Sequence, residues 1–541
     1  MKSILKITKI FSVMTLCLLT GCKSSSTKVE KISETKSLPT QKIKLNIVSE
    51  PFNLDPRKAR SLNDVNISKM FMEGLTRINK QDEPTLAQAV SVTVSDDQLT
   101  YTFKLRDTKW SNGEAVSASD FAYSWKKVLS PDFNSDNAYQ LFVIKNAKDI
   151  KNGDLPSSLL GVKCPDEKTL VVELEHPVPY FLKLAALPVF FPVNQKVDKK
   201  NPNWAYSVET YVGNGPFKMT TWTHHDKIIA QRNQGYWDKS HVKLEEIEMV
   251  MVSEDTGLQM FENHELDWEG SPFSALPLDS LPHLDKAKQI GRSAALGTYF
   301  VATNTKKKPF DSLNIRKAFA SAVNRSELVN HALHGSQVAS TGLVPISMGL
   351  QDQPYFQDGD VTQAKEYFEL GLQELNLTKE DFSSVKLIYR ADKKMALMAQ
   401  VLQQQWFENL GILVKLEALE GKLFASQISE KAFDLSLGSW FADYNDPVTF
   451  LDVYTSKENG TNRTQWEDVN VTEGVQNSFL LGATKERTEL LKSVERMIID
   501  AMPIIPLSNS EYLYVKNKGI KDIYLSSLGE IDFRWAYVDN S

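Results

Sequence analysis

Cysteine is nearly absent: the 541 residues hold three, Cys17, Cys22 and Cys164. Two of them lie at the extreme N-terminus, so a disulfide framework is excluded and the body must fold on its apolar core alone. Cys164 stands by itself and is expected to be a small buried hydrophobe. A positive excess is missing as well. Lys and Arg number 62 against 68 Asp and Glu, a formal charge of −6, and because phosphate binding needs a basic face, no nucleic-acid partner is expected. Catalytic signatures are also lacking. There is no His-Glu-x-x-His, no Gly-x-Ser-x-Gly, no Gly-x-x-x-x-Gly-Lys and no Cys-x-x-Cys, so neither an enzyme, nor a metal site, nor a cofactor is expected. His224 and His225 are adjacent, and neighbours on a strand face opposite ways, so they read as solvated residues.

What is present begins with an export signal. Lys2, Lys6 and Lys9 precede an apolar stretch at 10–19 broken only by Ser12 and Thr15. It is too short for a bilayer span, which needs roughly 20 residues, and has the layout of a secretory signal over 1–21. Its end, Leu19-Thr20-Gly21-Cys22, resembles the lipobox of bacterial lipoproteins, which makes Cys22 the lipidated first residue of an exported, membrane-anchored chain. Acyl chains worth about 0.8 kcal/mol per buried methylene would hold it there. The Ser, Thr and Lys-rich stretch that follows, to residue 42, reads as a flexible tether.

From residue 43 onward strand and helix patterns interleave. Alternation of apolar and polar residues predicts strands at 43–48, 99–105, 169–174, 228–231, 247–252, 385–389 and 412–416, and three-to-four spacing predicts helices at 118–129, 315–323, 396–409 and 485–501. Ser117 and Asp120 form a start signal for the first of these helices, and Gly411 a stop signal for the third. A mixed chain of this length exceeds one core and points to an α/β or α+β body in at least two lobes.

A string of blocks then carries a resemblance. Tyr101 to Arg106, Trp110-Ser-Asn-Gly-Glu114 and Ala118 to Trp125 are similar to segments of the oligopeptide-binding proteins of bacterial ABC importers. Leu54-Asp55-Pro56, Gly213 to Phe217, Asn233 to Trp237 and Trp440 to Pro447 follow in that family's order, so the likeness spans nearly the whole chain after the tether. It implies a two-lobed periplasmic-binding-protein-like α/β fold with a hinge. One lobe is expected from 43–76, 205–290 and 506–541, an inserted subdomain from 77–204, and a second lobe from 291–505. It also implies a monomer that captures oligopeptides between closing lobes, on the membrane face turned to the periplasm or exterior, and hands them to permease subunits.

The same resemblance suggests site residues. Asp443, before Tyr444, is expected to meet the peptide α-ammonium, while Asp446 before Pro447 reads as a turn residue. The backbones of Ser439 to Phe441 and of Arg60 to Leu62 are expected to pair with the peptide main chain as added strands. Trp440, Phe441 and Tyr139 are expected to wall the side-chain pockets. Three departures matter. Ile428 and Leu437 stand where familiar members carry arginines for the ligand's C-terminal carboxylate, Arg60 stands in place of an acid, and Asn137 in place of a tyrosine. These leave room for a longer or modified ligand such as a cell-wall peptide, with a metal chelate or haem as the further alternative.

Overall fold

The computed structural model describes residues 40–539 apart from 60 and 483. The first predicted strand is Lys42–Asn46, with Ile43 and Leu45 turned into the core. It pairs in parallel with Glu246–Val250, Leu45 opposite Met249. Both belong to an eleven-stranded mixed sheet. At one end lie Phe217–Thr223, Lys227–Arg232, Glu246–Val250, Lys42–Asn46 and Trp268–Gly270; at the other lie Leu435–Phe441, Lys386–Arg390 and Lys415–Leu419. Two thirteen-residue antiparallel strands, Gly291–Thr303 and Ile504–Lys516, join the ends.

These two strands pass from one hydrophobic core to another. The first core runs from Ile43 to Phe273 and takes in Ile520, Ile531 and Phe533. The second runs from Tyr299 to Leu507. Between Ala294 and Thr298 the ladder joining the strands shifts register, and there the Leu296 N–H donates to the Ser527 carbonyl at 2.9 Å instead. A separate four-stranded sheet, Ala89–Val94, Thr100–Leu105, Thr169–Glu173 and Val162–Asp166 in spatial order, builds out the first core.

Helix ends follow their caps. Ala118–Val128 starts where Asp120 Oδ2 accepts the Ser117 N–H at 3.0 Å, and it buries Phe121, Trp125 and Val128. Lys393–Leu410 begins three residues before the expected start because Asp392 Oδ1 accepts the Met395 N–H at 2.9 Å; it ends at Gly411, left-handed at φ +75°. Among the described residues no helix is long and apolar enough to cross a membrane.

Three expectations are corrected. The strand foreseen at 412–416 is Lys415–Leu419: Ile412 and Val414 are buried, but in the connection leading into it. Cys164 is exposed, because Val162–Asp166 is an edge strand whose residues after Val162 face solvent. His224 and His225 lie in the turn between two strands rather than on one, so both rings approach Glu50, at 3.0 and 3.8 Å.

Glu269 on the strand Trp268–Gly270 is fully buried. Ser274 Oγ and Asn46 Nδ2 donate to Oε1 at 2.6 and 3.4 Å, and Oε2 has no partner. Burial pushes the carboxyl up to about 7. A carboxyl whose pKa rises on folding favours the folded state below its unfolded value and loses that contribution as pH climbs through the folded one. Glu269→Gln is therefore expected to raise stability at about pH 8 by roughly 2–3 kcal/mol and to leave it unchanged near pH 4. Urea titration at both pH values checks this, and an equal change at both would rule out titration as the cause.

Candidate functional site

A cavity of about 800 Å³ opens between the two cores. Tyr139, Phe142, Tyr180 and His176 line it on one side; Trp440, Asp443 and Tyr444 line it on the other, with Tyr444 packed on the first core and Phe479 touching both cores. Its position follows from the strand Leu435–Phe441, held in register by Gly291–Thr303 with Trp440 opposite Thr298 and Phe441 opposite Gly297. Consecutive residues on a strand turn to opposite faces. Trp440 accordingly lines this cavity, and Phe441 lines a second one of about 540 Å³ together with Leu62, Lys393 and Tyr512.

The chain turns sharply after Phe441, and the turn is tied at several points. Trp440 Nε1 donates to the Thr449 carbonyl at 2.9 Å, and the Asp443 N–H to Thr449 Oγ1 at 3.2 Å. Asp446 accepts the Val448 N–H at 3.0 Å, as expected of a turn residue, and also receives a buried bidentate pair from Arg487 at 2.8 and 2.8 Å. Asp443 is thereby held on a fixed backbone. Its carboxyl is raised above the ordinary aspartate range by burial, with the Tyr139 hydroxyl bond pulling it partly back. The Tyr139 ring is exposed, while burial and the Asp443 charge hold its hydroxyl protonated.

The lining is negative. Asp443, Asp452 and Glu458 face the cavity against a single lysine, Lys148, and burial raises Asp452 too. Acids beside aromatic faces make a surface suited to a cation. Across the cavity wall, the Tyr180 and Tyr444 rings stack at 4.5 Å, His176 stacks on Phe479 at 5.0 Å, and Lys183 Nζ reaches the Asn445 carbonyl at 3.2 Å.

Phe441 sits edge-on to Tyr299 and directly over Gly297, where a Cβ would stand 2.4 Å from its ring. Gly297→Ala is expected to displace the ring and cost about 1–3 kcal/mol. Thermal unfolding checks it, and an unchanged midpoint would mean the ring moves freely.

Residues 83–462 match the family model described as bacterial extracellular solute-binding proteins, family 5. The chain belongs to that family. It is similar to the oligopeptide-binding protein OppA of Bacillus subtilis (38% identical, covering 98% of this chain and 99% of the relative) and to the dipeptide-binding protein DppE of the same organism (33%, 96% and 96%). Among solved structures it resembles Haemophilus influenzae OppA in complex with RPPGFSPFR, with TM-score 0.77 and 26% identity over 92% of this chain and 99% of that one. The family is one of solute-binding proteins of transport systems, and its fold is the two-lobed α/β architecture anticipated from the sequence.

Within this family 5 chain the remaining candidates take definite places. Ser439 lies on the cavity strand, its carbonyl accepting from Arg463 Nη2 at 3.2 Å. Leu62 opens the helix Leu62–Phe71 and lines the second cavity. The N–H of Ser61, just before it, is taken by Asp64 at 3.1 Å. The Asn137 amide donates to the Ala59 carbonyl at 2.7 Å, so this side chain holds the loop after Asp55-Pro56. Arg60 and Cys22 lie outside the described residues. Sequence reasoning missed the supports: Thr449 and Arg487 under Asp443, and the buried Arg57 that binds Asp55 at 2.7 Å and Asp198 at 2.6 Å to fix that same loop. Arg57 stands directly after the Asp-Pro pair, and that adjacency was the one available signal.

Proposed function

We propose that this chain is an exported lipoprotein that captures oligopeptides in the cleft between its cores and delivers them to an ABC peptide importer. The observation that carries the reading is Asp443: a carboxylate with a neutral phenol as its side-chain partner, on a fixed turn, in an aromatic cavity of about 800 Å³. That volume falls in the range of roughly 300–1,000 Å³ usual for small-ligand pockets. A peptide α-ammonium supplies the missing positive charge, Trp440 and Tyr139 wall the space around it, and Phe441 walls the second cavity on the other face of the strand. Beyond Ser436 the edge of Leu435–Phe441 on the Lys386–Arg390 side has no strand partner among the described residues and offers main-chain groups to an extended ligand.

Capture works by closure. The lobes are assigned as 43–76 with 205–290 and 506–541, and 291–505, with 77–204 inserted. A ligand stabilises the closed form only through contacts made on both sides at once. Tyr139 and Asp443 provide such a pair. Lipid on Cys22 keeps the monomer beside its permease, and the protein performs no chemistry on what it binds.

Calorimetric titration tests the reading, using short peptides with a free amine and the same peptides N-acetylated. Binding is expected for the free amines and loss of most of it on acetylation. Equal binding of both forms would overturn ammonium capture and favour a modified ligand such as a cell-wall peptide held by other groups.

A further inference from the structure

Three contacts join the two sides of the cleft directly. The Tyr180 and Tyr444 rings stack at 4.5 Å with their planes 8° apart, and their hydroxyls lie 3.4 Å from one another. Lys183 Nζ donates to the Asn445 carbonyl at 3.2 Å, and the His176 ring stacks on Phe479 at 5.0 Å. His176, Tyr180 and Lys183 belong to one short segment beside the first core. Tyr444, Asn445 and Phe479 belong to the stretch that builds the second, yet Tyr444 packs on the first core and Phe479 touches both.

Both halves are braced. Arg487 gives its two Nη atoms to Asp446 at 2.8 and 2.8 Å and its Nε to the Ser478 carbonyl at 3.1 Å. One guanidinium thus fixes the residue after Asn445 and the residue before Phe479, so these two segments, distant in sequence, present a single surface. Opposite, Tyr180 is buried, and its carbonyl accepts the Leu184 N–H at 3.1 Å, which ties it to the helix Phe181–Leu184 that carries Lys183. Parallel aromatic rings at this spacing attract beyond the area they bury. Beside the second cavity the two sides meet differently, through the ion pair of Lys393 with Asp279 at 2.7 Å, in which both side chains are exposed. Such a pair contributes little. The stacked rings form one wall of the 800 Å³ cavity and leave its volume free.

We propose that His176, Tyr180 and Lys183 form with Tyr444, Asn445 and Phe479 a clasp that needs no ligand, and that it holds this end of the cleft shut in the empty protein. The inference goes beyond the peptide reading and stands whatever the ligand's chemistry. Apparent affinity scales with the fraction of molecules already in the binding-competent form. A clasp built into the protein raises that fraction before any ligand arrives, so breaking it weakens binding of different ligands by a common factor.

Hydrogen exchange of the full chain without added peptide, read by mass spectrometry, tests the clasp, because loosening one side must loosen the other. Phe479→Ala is expected to speed exchange of the amides in 176–184 by roughly 2- to 10-fold, the factor that loss of one aromatic pair gives. Lys183→Met is expected to speed exchange at 444–446 in the same direction. A change confined to the mutated residue's own segment in both variants would mean that these side chains pack only locally, and it overturns the clasp. Calorimetry supplies a second reading. Lys183 lies outside the cavity lining, so Lys183→Met is expected to weaken tetra-alanine and a longer free-amine peptide by the same factor, and a loss confined to one of them overturns the common-factor argument. If neither peptide binds the wild type, the peptide reading fails while the exchange comparison still decides the clasp. Lys183→Met decides alone if Phe479→Ala does not fold.

Discussion

Asp443→Ala is expected to weaken binding of a free-amine peptide by roughly 30-fold to several thousand-fold, the range for removing one member of a desolvated, hydrogen-bonded charge pair. The loss is large because the cavity offers the ammonium no equal substitute: Asp452 and Glu458 also line it, but only Asp443 stands on the turn fixed by Thr449 with the Tyr139 hydroxyl against it. Asp443→Asn should lose nearly as much, since the amide keeps the shape and surrenders the charge. Wild-type affinity carries a related pH dependence. Burial holds the empty-site carboxyl above the ordinary aspartate range, so binding should fade on acidification at a higher pH than an exposed aspartate would give. Titration of wild type and both variants at several pH values checks this. Retained affinity in Asp443→Ala would transfer the ammonium contact to another acid.

Arg487→Met should lower stability by about 3–5 kcal/mol, because it strands Asp446 in a buried position with its charge unanswered. The pair is bidentate and both side chains are nearly inaccessible. Removing both members, as Asp446→Asn with Arg487→Met, should recover much of that loss, the signature of a pair whose single deletion is dominated by an abandoned charge. Denaturant unfolding of the two variants distinguishes this from simple loss of packing, in which the double change would be no better than the single one. The turn Tyr444 to Pro447 depends on the same pair, so ligand affinity should fall in Arg487→Met even where the fold persists.

The sequence reveals what is local. The helix Lys485–Ala501 matches the expectation to the residue, because Thr484 Oγ1 accepts the Arg487 N–H and a three-to-four apolar pattern fills the rest. Asp446 as a turn residue was legible for the same reason, since an aspartate before proline that caps Val448 needs only its neighbours. Its partner Arg487 lies 41 residues away, and no pattern in either segment announces the other. Arg463 shows the limit more sharply. Ile428 and Leu437 are apolar, yet the fold brings the Arg463 guanidinium to Ser439 and Gly438 from the segment that follows. Strand order was hidden likewise: Lys42–Asn46 pairs with a strand some two hundred residues later, and alternation fixes which face is buried without naming the neighbour.

The two strands that pass between the cores also set an order of assembly. The second core is drawn from one continuous stretch, Tyr299 to Leu507, and contains everything it needs before the chain ends. The first is left open until Ile520, Ile531, Phe533 and Ala536 arrive, and residue 41 is clasped to residue 538 by a reciprocal pair of bonds between the Gln41 amide and the Val538 backbone. A chain emerging from its N-terminus therefore completes its middle before its beginning. Until the last residues are released, apolar surface on the first core stays uncovered, and that interval is when the molecule is most exposed to proteases and to aggregation.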